Sequence, residues 1–203
     1  IWLPAGTGED ALLHDSLRTE IQHLLDEILA YRHLQQAETG KLQMKWSGIH
    51  LRGFLDQLVR GCQTQECAQH RSIVIEPPVP EQELLTDDRL LRRILVNLIK
   101  NALEATPTGE AIRVRCRPES EFIRFEVWNP GAIPVVVQYQ IFQKSFSTKG
   151  MPGRGLGTYS AKLLGERGLR GHLSFNSDAL SGTTFTFLHP LNSDKAAPQA
   201  QSS

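Results

Sequence analysis

The sequence predicts an α/β (α+β) fold, a two-layer sandwich in which a mixed, mainly antiparallel sheet packs on helices, preceded by a long helix from a helical hairpin. Three observations predict it. An apolar stripe with helical spacing runs through residues 10–36, the same spacing returns over 87–106, and short strand-like runs follow up to residue 188. With 203 residues, 40% of them hydrophobic, the chain can bury one sizeable core. We assign residues 1–61 to a helical region and linker, for which the resemblance described below implies a role in dimerisation, 62–190 to the α/β domain and 191–203 to a disordered tail.

The first elements are helical. Apolar residues from Leu13 to Leu29 recur at helical spacing and predict one helix over 10–36, which the Glu38-Thr39-Gly40-Lys41 segment ends. A second, shorter amphipathic helix is predicted over 49–62. The run EPPVPE at 76–81 excludes regular structure there.

The α/β part opens with an edge strand predicted over 71–76 and a helix over 87–106. Asp87 precedes the first apolar residues of this helix, where its side chain can accept from the free amides of the first turn. Further strands are predicted at 111–117, 121–128, 172–176 and 183–188.

Charge, hydropathy and cysteine content limit the classes of binding partner and the cellular compartment that we expect. The chain has 22 basic and 22 acidic residues, so no overall basic field favours nucleic acid or an anionic membrane surface. No apolar run approaches the roughly 20 residues that span a bilayer, and no signal segment opens the chain. Three cysteines without a CxxC pair are typical of a reducing compartment, so we expect a cytoplasmic chain whose full-length protein can still be membrane-anchored.

A glycine-rich loop, GRGLGT at 153–158, leads directly into a helical pattern. Backbone amides at a helix N-terminus favour an anion, and Lys144, Lys149 and Arg154 would add positive charge around a phosphate. The spacing does not match the GxxxxGK[ST] of a P-loop. At this point a turn with a purely structural role remains an alternative to a phosphate-binding loop.

Asn97 and Asn101 lie four residues apart, so both amides project from one face of an otherwise apolar helix, and we expect them to be buried side by side. Buried amides need partners. The pair is either satisfied by the backbone of the core or supplies an amide oxygen to Mg²⁺, which accepts neutral oxygen ligands and retains several waters.

Five blocks occur in a fixed order: NLIKNALEAT, VWNPGAIP, IFQKSFSTK, GRGLGTYSAKLL and SGTTFTF. Together they resemble the N, G1, F, G2 and G3 boxes of the ATP-binding domain of sensor histidine kinases, which shares its fold with gyrase and mismatch-repair ATPases. The resemblance covers about half of the chain. The NALEA form of the first block is similar to the nitrogen-regulation branch of these kinases.

The resemblance implies ATP and Mg²⁺ as cofactors, with Asn101 as the metal ligand and Asn97 and Lys149 as catalytic residues. Asn97 stands where related ATPases carry a glutamate that activates water, and a kinase has no use for such a base. Phe142 and Phe146 would anchor a lid over the triphosphate. The full implied nucleotide site is Asn97, Lys100, Asn101, Asn129, Gly131, Ile133, Phe146, Lys149, Gly153, Arg154, Gly155, Leu156, Gly157, Thr158 and Thr183.

Two departures from the family pattern concern the G1 and N boxes. The G1 box usually reads DxGxG, but this chain has Asn129 for the aspartate and Ile133 for the second glycine. A neutral acceptor contributes about 0.5–1.5 kcal/mol against about 1.5–3 kcal/mol for a charged one, so we expect weak ATP binding that an Asn129→Asp change would tighten. Glu104 stands where many members carry a basic residue, for which Lys100, Lys149 and Arg154 could compensate.

The segment His14-Asp15-Ser16-Leu17-Arg18-Thr19 is similar to the H box that carries the phosphorylated histidine of these kinases. An extra Ser16 breaks the spacing, and Glu20 stands where proline belongs. Residues 27–44 resemble the end of the second hairpin helix, which should follow the acceptor by about forty residues in the resemblance, so we expect the acceptor histidine to lie upstream.

The resemblance thus implies an ATP-dependent protein histidine kinase that passes the γ-phosphoryl to a histidine and then to a response regulator receiver domain, as a homodimer in the full-length protein. We expect no nucleic-acid partner. Two alternatives remain: a degenerate nucleotide-binding or scaffolding module without turnover, and an ATP hydrolase, which Asn97 in place of an acid disfavours.

Overall fold

The structure, a computed structural model, describes residues 31–144 and 157–191 together with positions 14, 17, 21, 25, 28 and 29. The chain divides into two compact units, Ile1–Leu42 and Gln43–Ser203.

The first unit is helical up to residue 38 where it is described. Residues 31–38 form a helix, α1, and the described positions before residue 31 are helical as well. The predicted helix over 10–36 therefore extends to residue 38. The described apolar side chains up to Tyr31 are exposed, from 46% at Leu29 to 63% at Ile28, whereas Leu34 and Ala37 are buried. An exposed apolar stripe of this kind is typical of a surface that packs against a partner.

The second unit is a two-layer α/β sandwich, as predicted. Helix α3 (Asp88–Glu104) contacts the helices α2 (Leu51–Gln63) and α5 (Gly157–Leu163) and, beneath it, the strands β4 (Ala111–Glu119) and β5 (Phe122–Asn129). The described helices are α2 (Leu51–Gln63), α3 (Asp88–Glu104), α4 (Val135–Gln138) and α5 (Gly157–Leu163), which continues as a π-helix over Leu164–Gly168; a 3₁₀ turn spans Glu66–Ala68.

The main sheet has five strands in the order β2-β4-β5-β7-β6, with β2 parallel to β4 and the other pairs antiparallel. It is therefore mixed and mainly antiparallel, and the predicted edge strand lies at its edge. The strands are β2 (Ser72–Glu76), β4 (Ala111–Glu119), β5 (Phe122–Asn129), β6 (His172–Asp178) and β7 (Gly182–Pro190).

A second, two-stranded sheet was not predicted. Strands β1 (Ser47–His50) and β3 (Glu83–Thr86) pair antiparallel, with Ser47 opposite Thr86. The start predicted for the second helix was therefore too early, because Ile49 and His50 belong to β1. Helix α2 also lies inside the second unit, beyond the Leu42 division, whereas the sequence analysis grouped it with residues 1–61.

Helix α3 begins at a capped N-terminus, as predicted. Asp87 Oδ1 accepts from the amide of Leu90, and Oδ2 accepts from the amide of Lys45 at 2.8 Å. Burial alone would raise the pKa of this fully buried carboxyl. Its hydrogen bonds, led by that from the Arg89 guanidinium, bring the pKa below its ordinary value.

The two sheets meet through a buried histidine. His189 of β7 is fully buried, and its Nε2 lies 2.8 Å from the hydroxyl of Thr86 in β3. Nδ1 lies 2.7 Å from the carbonyl oxygen of Pro190 and donates to it, so Nε2 accepts the Thr86 proton in the neutral ring. Burial lowers the pKa of His189 to about 4, against a smaller opposing effect of nearby backbone carbonyls.

None of the helices among the described residues combines the length and apolar character needed to cross a membrane.

Candidate functional site

One cluster of predicted site residues lies where α3 meets the start of α5. Asn97 and Asn101 share a face of α3 toward Gly157, the first residue of α5. A Cβ placed on Gly157 would lie 3.9 Å from Asn97 Oδ1 and 3.9 Å from Asn101 Nδ2. The structure thus brings the two amides of the N box together with the last glycine of the glycine-rich loop.

The prediction that both amides are buried was wrong. Asn97 and Asn101 are each half-buried, because they lie at the margin of the apolar face of α3 that carries the buried Leu98 and Ala102. The pair is therefore within reach of a ligand.

A second cluster lies at the ends of β5 and β7. Asn129 and Thr183 are paired directly across the two strands and are 2% and 1% exposed. Both donate to the carbonyl oxygen of Gly131, Asn129 through Nδ2 at 3.1 Å and Thr183 through Oγ1 at 2.7 Å. One carbonyl of the 129–133 loop thus fixes both polar side chains.

Gly131 connects this cluster to α3. A Cβ placed on Gly131 would lie 2.8 Å from the carbonyl oxygen of Ala105, the residue that ends α3. A side chain has no room there, which explains the glycine. Because Ala105 follows Asn101 by one helical turn, about 6 Å along the axis, the two clusters lie at neighbouring positions along α3.

Ile133, which replaces the second glycine of the G1 pattern, is held through its backbone. Its amide donates to Ser177 Oγ at 2.8 Å, and its carbonyl oxygen accepts from Gln138 Nε2 at 2.8 Å. Ser177 Oγ also lies 2.8 Å from Thr183 Oγ1. Sequence reasoning missed Ser177 and Gln138, because the contact of Ser177 depends on the register of the β6–β7 hairpin, which places Ser177 opposite Thr183.

The segment predicted to form a lid lies outside the described residues, which stop at Lys144 and resume at Gly157. Thr158 donates its hydroxyl to the carbonyl oxygen of Ile141, which joins the start of α5 to the segment before the lid. Phe142 lies edge-on to Phe175 with ring centroids 5.6 Å apart, and its role as a lid anchor stays a prediction. The predicted site residues Phe146, Lys149, Gly153, Arg154, Gly155 and Leu156 lie outside the described residues.

Two charged residues of α3 flank the N-box pair. Lys100 is half-buried. Burial raises the pKa of the Cys62 thiol in α2 to about 11, and the nearby positive charge of Lys100 partly opposes this rise. This places Lys100 toward α2. Glu104, three residues after Asn101, is exposed.

Arg93 is a further residue that sequence reasoning missed. It lies one turn before Asn97 on α3, and burial lowers the pKa of its guanidinium to about 10. Its Nε is buried without a hydrogen-bond partner among the residues that the structure describes.

The profile of one protein family, described as the histidine kinase-, DNA gyrase B- and HSP90-like ATPases, matches residues 86–193, just over half of the chain. The chain belongs to this family. Both clusters lie inside the matched stretch. The resemblance found in the sequence, to the ATP-binding catalytic domain of sensor histidine kinases, is thereby confirmed, and the fold is an ATP-binding one.

Individual relatives support the similarity to sensor histidine kinases. The chain is 26% identical over 189 residues to the sensor histidine kinase Hik2 of Thermosynechococcus vestitus, across 88% of this chain and 49% of Hik2. The chain spans half or less of the length of the curated relatives it matches first.

Two solved structures share the fold of this ATPase-family chain. The catalytic domain of histidine kinase ThkA superposes with a TM-score of 0.65 at 23% identity and covers 73% of this chain and 97% of the ThkA chain. Full-length ShkA in complex with AMPPNP gives a TM-score of 0.71 at 21% identity and covers 92% of this chain and 40% of ShkA. The predicted fold class is confirmed.

Proposed function

We propose that this chain binds Mg-ATP along α3 and, as part of a sensor histidine kinase, transfers the γ-phosphoryl group to a histidine side chain. The observation that carries the proposal is the pair of polar clusters at neighbouring positions on α3, both inside the stretch that the ATPase family matches. The adenine would lie at the Asn129 end and the triphosphate at the Asn97 end, under the glycine-rich lid.

The residues at the triphosphate end fit a magnesium ion. Asn101 offers a neutral amide oxygen at a half-buried position, and the described residues contain no group of three His, Cys, Asp or Glu that would hold a metal on its own. Mg²⁺ is usually held by one or two protein oxygens together with waters and substrate phosphates. When bound, the ion would neutralise phosphate charge, and Asn101 would be its protein ligand.

The residues at the adenine end fit a base that donates a hydrogen bond. Since Asn129 Nδ2 already donates to Gly131, a ligand amino group would meet Oδ1, the acceptor of the amide. Thr183, whose proton goes to the same carbonyl, likewise accepts. The 6-amino group of adenine is such a donor.

Phosphoryl transfer depends mainly on positioning and charge neutralisation, because the transferred group resembles metaphosphate in most analyses. Asn97 would orient the terminal phosphate without activating water, which favours transfer over hydrolysis. Lys149 and Arg154 would supply positive charge from the lid. Gly157 and Thr158, at the lid's end, would face the phosphates.

The remaining assignments concern the whole protein. We propose a response regulator receiver domain as the acceptor of the phosphoryl group and a homodimer formed through the helical first unit, whose exposed apolar stripe supports it. The cytoplasmic location stays a prediction from the cysteine content. The acceptor histidine, expected upstream of His14, also stays a prediction.

Calorimetric titration with ATP, with and without Mg²⁺, tests the proposal. We expect metal-dependent binding that Asn101→Ala abolishes. Asn176→Ala is the matched control, because Asn176 is an exposed asparagine of β6. Mixing the chain with a histidine-bearing hairpin and γ-labelled ATP then tests transfer, with alkali-stable, acid-labile label as the expected product.

Each outcome separates the alternatives. Absence of binding at millimolar ATP would contradict the proposal and favour the scaffolding module. Binding with phosphate release into solution, in the absence of any histidine acceptor, would favour a hydrolase.

A further inference from the structure

Arg93 is the arginine of α3 whose guanidinium has no partner among the residues that the structure describes. Arg89 pairs with Asp87, with Nη2 2.6 Å from Oδ2, and the Arg92 guanidinium lies 4.9 Å from the centre of the Phe54 ring. For Arg93, Nε is buried without a hydrogen bond, and no described carboxylate offsets the loss of its hydration. Because buried charges in proteins are usually paired, this arginine indicates a place for an anion that comes from outside the chain.

Arg93 continues the row of polar residues that faces the proposed nucleotide. Arg93, Asn97 and Asn101 follow one another at intervals of four residues, so they lie on one side of α3, about 6 Å apart along its axis. Helical side chains tilt toward the N-terminus of their helix, so the Asn97 side chain lies over the turn that carries Arg93. Arg93 is half-buried, as are both asparagines, and each therefore keeps surface that a ligand can contact.

The order of contacts along α3 gives the direction in which a nucleotide would lie. Ala105, at the C-terminal end of α3, adjoins Gly131, whereas Asn97 adjoins Gly157. In the proposed function the base lies at the first of these positions and the triphosphate at the second. The phosphate farthest from the base would therefore lie toward the N-terminus of α3, on the side of Asn97 that carries Arg93.

We propose that the Arg93 guanidinium binds the terminal phosphate group of a nucleoside triphosphate, as a fixed positive charge built into α3. The proposal rests on the proposed nucleotide-binding function and adds a residue to it. A planar guanidinium can donate two parallel hydrogen bonds to phosphate oxygens. The bound phosphate would thus supply the partner that Arg93 lacks among the described residues.

Arg93 differs from the other cations expected near the phosphates in where it is attached. Lys149 and Arg154 lie outside the described residues, and Lys100 lies toward α2. Arg93 instead belongs to the helix that carries Asn97, so its position does not depend on a lid. Because a nucleoside diphosphate lacks the terminal group, Arg93 would add affinity for the substrate of phosphoryl transfer and not for its product. It would thereby favour release of the diphosphate after transfer.

Calorimetric titration with ATP and with ADP, both in Mg²⁺, separates the terminal phosphate from the rest of the nucleotide. The dissociation constants are measured for the wild-type chain, Arg93→Met, Arg93→Lys and Arg92→Met, and thermal melting is recorded for each. Arg92 is the matched control, because it is the adjacent arginine of α3 and its guanidinium contacts Phe54 of α2.

We expect Arg93→Met to weaken ATP binding about 10-fold and ADP binding less than about twofold, the size of effect typical of one hydrogen bond between charged groups. Arg93→Lys should keep part of the ATP affinity, because it retains the charge but loses the planar fork. Arg92→Met should leave the ratio of the two dissociation constants unchanged. Should Arg93→Met fail to fold, Arg93→Gln, which keeps a polar head group without the charge, gives the same comparison.

An Arg93→Met chain that binds ATP as tightly as the wild-type chain would overturn the inference. Loss of ATP and ADP affinity by the same factor would overturn it as well, because Arg93 would then have a structural role alone. If neither nucleotide binds to the wild-type chain, the proposed function itself fails, and the inference fails with it.

Discussion

Acidification should destabilise this chain through one side chain, His189, which is neutral and fully buried between the two sheets. Its neutral ring donates to Pro190 and accepts from Thr86, so a second proton on the ring would reverse the Thr86 hydrogen bond and leave a charge in the core. In the unfolded chain the imidazole takes up that proton at its ordinary pKa of 6.5. The unfolded state therefore gains protons first, and stability falls with decreasing pH.

The size of the effect follows from the two pKa values, 6.5 unfolded and about 4 folded. Proton linkage gives a loss of about 2 kcal/mol at pH 5 and about 3 kcal/mol at pH 4 relative to pH 7. Asp87, next to Thr86, contributes little down to pH 5, because its ordinary pKa is 3.8 and its pKa in the folded chain is lower; its contribution to stability is lost only at more acidic pH.

Urea unfolding at 25 °C between pH 7 and pH 5 measures this loss. We expect His189→Gln, which cannot titrate but keeps a donor and an acceptor, to lose about 2 kcal/mol less over that interval than the wild-type chain. His172→Gln is the control, since His172 is an exposed histidine of β6. Parallel pH profiles for the wild-type and His189→Gln chains would refute the reasoning.

Three further changes test other parts of the structure. Gly131→Ala should cost about 1–3 kcal/mol of folding free energy by urea unfolding and weaken ATP binding, because its Cβ would lie 2.8 Å from the Ala105 carbonyl oxygen; an unchanged midpoint would contradict this. Arg93→Met should raise the free energy of unfolding by about 1 kcal/mol, as it removes a partly buried charge whose Nε has no partner among the described residues, whereas Arg92→Met should not raise it. Asn129→Asp should not tighten ATP binding in calorimetry, since a carboxylate oxygen would replace the amide nitrogen 3.1 Å from the Gly131 carbonyl oxygen; tighter binding would show that acceptor charge outweighs that contact.

Most of the main sheet and α3 could be predicted because their signals are local. Asp87 caps α3 through its own side chain, and the strands alternate apolar and polar residues, as in β4, where Ile112, Val114 and Cys116 are fully buried. The small sheet could not be predicted in this way. Strands β1 and β3 have four residues each, too few to establish a period, and they pair across more than thirty residues of intervening chain.

In the candidate site, too, local sequence signals predict some features, whereas others depend on tertiary packing. Asn97 and Asn101 are found by helical spacing, since both lie on one helix four residues apart. Their half-buried state depends on how α5 approaches α3, which the spacing does not contain. The hydrogen bond between the Ile133 amide and Ser177 likewise depends on the register of a hairpin and on the path of a separate loop. In the sequence, Ser177 is only a serine among other small polar residues and does not stand out.

For Asn129 the structure changes the interpretation of the sequence most. Taken alone, a neutral acceptor in place of an aspartate indicates a weakened adenine site, which an Asp would repair. In the structure the amide nitrogen is itself used, because it binds the Gly131 carbonyl that also accepts from Thr183. An aspartate has no proton to give that carbonyl at neutral pH. The surrounding loop therefore fits the amide, and in the proposed site its hydrogen bonds would hold both acceptors in place and offset the loss of acceptor charge.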